Sequence, residues 1–172
     1  NSSTNLQMGK ALVRILRNRR EVQYVVLTCV NTLAQEHPAI FRNYVSDFYI
    51  KGEDPVFNRL LKLEILTAIC TPDMSQSILR ELQTFVKHGN TTFVAAVVRA
   101  VGRIVDADPQ SADHCVNGLT HLLSCSNSQK VVGETVVVLR QLLQQNSNMD
   151  IKEKLLLQLA KTLVIETDSI EE

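Results

Sequence analysis

Apolar residues in this chain recur at intervals of three and four, and the stretches that do so return about every 36 residues. Leu27, Leu63, Val98 and Val136 read as equivalent positions, spaced by 36, 35 and 38. Three residues on lie Val30, Leu66, Val101 and Leu139; six on lie Leu33, Ile69, Ile104 and Leu142. Tyr24, Leu60, Ala95 and Gly133 stand three residues back, and Ala34, Cys70, Val105 and Leu143 seven on. All twenty are apolar or small. A second series interleaves with the first, led by Ile40, Ile78, Cys115 and Leu155.

Spacing of three and four is the period of an amphipathic helix. It predicts helices over 6–17, 20–36, 38–49, 55–70, 74–88, 91–106, 110–125, 128–145 and 149–165. The four prolines fall at joints between them, three after His37, Asp54 and Asp108. Asp before Pro suits a helix start, because the carboxylate caps free amides and Pro fits the first turn. Val136-Val137-Val138 favours a strand in isolation, but it lies inside a long helical window.

Two helices per period of 35 to 40 residues is the pattern of a HEAT or armadillo solenoid, in which one hairpin cannot bury its apolar stripe alone. The expected class is therefore all-α: a right-handed α–α superhelix of about nine helices. It forms a single solenoid segment over 1–172 with repeats at about 20–50, 54–88, 91–125 and 128–165. Leu12, Val13, Ile15 and Leu16 in the first helix lack a partner helix. Neither end reads as a polar cap, so the expectation is a middle section of a longer array.

Composition excludes several functions. Lys plus Arg is 18 and Asp plus Glu is 18; a nucleic-acid binder living on phosphate contacts needs a basic excess. No run approaches the twenty apolar residues of a membrane-spanning helix. The opening NSSTNLQMGK lacks the apolar centre of a secretion signal. Cys29, Cys70, Cys115 and Cys125 are widely spaced among apolar neighbours, which suits a reducing compartment.

No chemistry converges either. His114 and His121 share a helical face but lie about 10 Å apart along the axis, too far to share a zinc. His121 and Cys125 supply two ligands of the four required. His37 and His88 read as helix-end residues. No Ser or Cys stands in a glycine-rich elbow and no glycine cluster cradles phosphate. The chain is thus read as a non-enzyme without metal or cofactor. Gly102 and Gly133 fall inside helices, where close packing has to offset a cost of about 1 kcal/mol against Ala.

Two charge features remain. Lys10, Arg14, Arg17, Arg19 and Arg20 crowd into eleven residues with no anion before Glu21, and they are candidates for an electrostatic contact with an acidic partner or anionic lipid. From 114 to 148 the only formal charges are Lys130, Glu134 and Arg140. Interface cores are depleted in charge in this way.

Particular residues then carry a resemblance. Leu12-Val13-Arg14-Ile15-Leu16-Arg17 and Arg20-Glu21-Val22-Gln23-Tyr24-Val25-Val26-Leu27 resemble the trunk of β-adaptins. Asp54-Pro55, Leu61-Lys62-Leu63-Glu64-Ile65-Leu66-Thr67, Arg99-Ala100-Val101-Gly102-Arg103 and Gly133-Glu134-Thr135-Val136-Val137-Val138-Leu139 continue it in order, from about 10 to 145. The first block is most similar to the β subunit of adaptor protein complex 3. The resemblance implies a scaffold in a heterotetrameric vesicle-coat adaptor that sorts cargo for intracellular transport. Its implied partners are a second large chain, a medium and a small chain, with an Arf-family GTPase and coat proteins met through the full-length subunit. The implied location is cytoplasmic, peripherally on Golgi, endosomal and coated-vesicle membranes. The alternative is a helical-repeat nuclear transport receptor or another protein-binding solenoid. Such receptors usually carry Trp/Asn or acidic arrays on an inner face, whereas this chain has no Trp and scattered acids.

Overall fold

The structure is a computed structural model that describes residues 2–145 with 152–153, 155–157 and 159–160. Seven α-helices have defined bounds among the described residues: α1 (Ser2–Asn18), α2 (Gln23–Glu36), α3 (Val56–Ile69), α4 (Pro72–Gln83), α5 (Thr91–Ala107), α6 (Ala112–Cys125) and α7 (Gln129–Gln145). Tighter 3-10 segments occupy Arg20–Val22, Pro38–Ile40, Arg42–Phe48 and Pro109–Ser111. No strand occurs among the described residues. The expected final helix lies partly outside them, although its described residues are helical and Leu155 is buried.

The chain divides into two compact units, Asn1–Met74 and Ser75–Glu172, with α4 crossing the division. In the first, α2 packs between α1 and α3. Its core holds Leu27, Val30, Phe41, Phe48, Ile65 and Leu66, all inaccessible to solvent. Phe41 and Phe48 meet edge to face with centroids 6.0 Å apart, a favoured aromatic geometry. In the second unit α5 packs chiefly on α7, and α6 packs on α7. Asn90 caps α5, its side chain accepting the Phe93 N–H at 3.0 Å.

Gly102 marks the closest approach in that unit. A Cβ there would meet Val138 Cγ2 at 2.9 Å, so the bare backbone lets α5 and α7 come together. Gly133 differs from the sequence expectation. It is exposed, and a Cβ there would meet nothing within 4 Å.

Of the predicted repeat-core positions, Leu27, Leu63, Val98, Val30, Leu66, Val101 and Leu139 are buried. Val136 is not, with 38% of its surface exposed. The buried stripe of α7 runs through Val131, Thr135, Val138, Leu139 and Leu142 instead. Three consecutive valines made one register look as apolar as its neighbour, and the inward residue is polar in name only. Thr135 has the shape of Val, and its hydroxyl donates to the Val131 carbonyl at 2.7 Å one turn back. Tyr24, expected on the inner face, is likewise about half exposed.

Two helices differ in kind or length. The stretch expected as an α-helix over 38–49 is a pair of 3-10 segments, with Tyr44 at φ −116°, ψ 19° breaking the run. Asn, Tyr, Val, Ser, Asp and Phe, which fill 43–48, all belong to the weaker half of the helix-propensity scale. α4 stops at Gln83 rather than 88. Beyond it Thr84 turns its hydroxyl back to the Glu81 carbonyl at 2.7 Å, and the amides of Thr84, Phe85 and His88 bond three residues back.

Candidate docking cleft

The basic segment lies on α1 and the turn that follows, where the first unit folds a cleft of about 530 Å³. One wall comes from the end of α1 and the 20–22 turn, the opposite one from the 42–48 segment, the 49–55 loop and the start of α3. Arg17 reaches across and grips Asp47 with two parallel bonds of 2.7 and 2.8 Å. Arg20 does the same to Glu53 through a single 2.7 Å bond. Asp47 holds the Arg17 proton more tightly than usual, first by hydrogen bonding and then by charge.

These pairs alter the reading of the cation cluster. The anions absent from the local sequence arrive from 30 and 33 residues further on. Lys10, Arg14 and Arg19 are exposed and join none of the ion pairs among the described residues. The five cations therefore separate into two internal clamps and three outward charges.

The floor of the cleft is a buried polar knot. Asp54 and Lys62 form an ion pair of 2.5 Å with both side chains nearly inaccessible. Asp54 Oδ2 also accepts the Lys51 N–H at 2.8 Å, and Lys62 donates to the Tyr49 carbonyl at 3.3 Å. Arg59 donates to the carbonyls of Asp54 and Gly52 at 2.7 and 2.6 Å. Asp54 thus faces the interior rather than capping α3 as its place before Pro55 suggested, because a buried lysine demands a counter-charge more strongly than exposed amides demand a cap. Beside the knot, Asn58 Oδ1 is buried with no hydrogen-bond partner. Leaving such an acceptor unsatisfied costs about 1–3 kcal/mol.

At the mouth, Tyr24 and Phe57 meet edge to face at 5.3 Å, each roughly half exposed. Four cations and four anions line the cleft, so its charge cancels. No Cys or His is among the lining residues.

A second cleft of about 460 Å³ in the other unit carries His88, His121 and Cys125. Cys125 Sγ lies 3.5 Å from His121 Nδ1. His88 is engaged elsewhere: its Nδ1 accepts the Asn90 N–H at 3.1 Å, and its ring meets Phe93. Among the described residues no group of three or more His, Cys, Asp and Glu is placed to hold a metal ion. Burial and the nearby Asp108 carboxylate push the Cys115 thiol up to about 11, which keeps it protonated and inert at neutral pH.

Asn58, the Tyr24–Phe57 pair and the Asp54–Lys62 knot were not singled out from sequence. Lys62 offered a signal, since a lysine one residue before Leu63 falls beside the inward stripe of α3.

Comparison with known proteins identifies the family of the chain as a whole. The model for the adaptin N-terminal region matches residues 1–169. The chain is 42% identical to the AP-3 complex subunit beta of Dictyostelium discoideum over 149 residues, 87% of this chain and 13% of that protein. It is 41% identical to AP-3 complex subunit beta-1 of Mus musculus over 137 residues, 80% of this chain and 12% of that protein. The chain therefore spans about an eighth of the length of these relatives. The full-length AP-3 complex in an intermediate open conformation, itself a homology model, contains a chain that superposes with a TM-score of 0.78 at 23% identity. The superposition covers 94% of this chain and 26% of that one. That likeness establishes the fold as an all-α solenoid.

Proposed function

The chain belongs to the adaptin N-terminal family, and from that premise we propose that it is one trunk segment of the β subunit of a vesicle-coat adaptor of the complex-3 class. The observation that carries this reading is the family match over residues 1–169, with identities of 42% and 41% to AP-3 beta chains. The segment acts as a scaffold without catalysis. Its helix pairs hold surfaces against a second large chain, a medium chain and a small chain, so that cargo is gathered for transport between intracellular membranes. No helix among the described residues is long and apolar enough to cross a membrane, in keeping with peripheral attachment as part of the complex. An Arf-family GTPase and coat proteins engage the full-length subunit on Golgi and endosomal membranes from the cytoplasmic side.

Within that assembly Lys10, Arg14 and Arg19 supply an outward cationic face for an acidic partner. Reversing Arg14 and Arg19 to Glu weakens recruitment more at low salt than at high salt.

Imaging the tagged full-length subunit in living cells tests the reading. It predicts puncta on endosomal and Golgi membranes that disperse when Arf-family GTPase activation is blocked. A nuclear or nuclear-envelope distribution contradicts it and favours a transport receptor.

A further inference from the structure

We draw no further inference here: the strongest candidate, the His121–Cys125 pair at the end of α6 in the cleft of the second unit, has no third metal donor placed with it among the described residues and is otherwise a single exposed thiol for which nothing in the structure points to a ligand.

Discussion

Replacing Gly102 and Gly133 by alanine separately should move stability in opposite directions. Both lie inside helices, α5 and α7, and neither has a positive φ. Alanine therefore fits the backbone at each and brings the same intrinsic gain of about 1 kcal/mol. At Gly133 the new methyl meets open space, so the gain survives and the variant is more stable by about 0.5–1 kcal/mol. At Gly102 it meets Val138 Cγ2 at 2.9 Å and Cγ1 at 3.4 Å. Val138 is buried, and a β-branched side chain in a helix has essentially one rotamer, so it cannot swing away. Overpacking of this kind costs about 1–3 kcal/mol. Set against the propensity gain, Gly102→Ala is left about 0–2 kcal/mol less stable, and the two variants differ by about 1–3 kcal/mol. Urea unfolding with unchanged slope reads the difference as a shift in midpoint. Val138→Ala should relieve the clash, so the two changes couple when combined. Equal stabilisation by both alanines, or no coupling with Val138, refutes the close approach of α5 and α7.

Three other outcomes follow from the same geometry. Leu66→Ala and Leu139→Ala, each fully buried, should cost about 2–5 kcal/mol, while Val136→Ala at a partly exposed site changes stability by about 0.5 kcal/mol or less; equal losses at Leu139 and Val136 in thermal melts would restore the original register. Lys62→Met strands the Asp54 carboxylate in the interior and should cost about 3–5 kcal/mol, most of it recovered by adding Asp54→Asn, which still accepts the Lys51 N–H; a double variant no better than the single one in denaturant titrations refutes the pairing. Burial raises the Cys115 thiol from 9.0 to about 11, so its share of stability is complete below pH 9 and is lost as pH rises through 11. Cys115→Ala should remove an alkaline loss of order 2 kcal/mol, and identical melting profiles from pH 8 to 11 argue against it.

The helices were legible because period and burial agree. A solenoid helix buries one stripe, and α2, α3 and α5 announce theirs by apolar residues at three and four. Legibility failed where that signal was degenerate or overridden. In α7 the valine run allowed two registers, and only Thr135 packed inward distinguishes them. Over 38–48 apolar spacing fits a three-residue turn nearly as well as a 3.6-residue one, and weak helix formers decided the outcome. The cleft was least visible. Arg17 and Arg20 find their anions 30 and 33 residues away, and a window along the chain cannot see a charge delivered by the next turn of structure. Asn58 looks like an ordinary polar residue until α3 carries it indoors.

The proposed scaffold role requires this stretch to present surfaces to other adaptor chains. Co-expression of the full-length subunit with the second large, medium and small chains of a complex-3 adaptor, followed by native mass spectrometry, tests it most directly. The account predicts a single species containing one copy of each of the four chains, and the loss of that species when Leu66 is changed to Asp. A subunit that purifies folded but alone, with the other three chains assembling without it, contradicts the account.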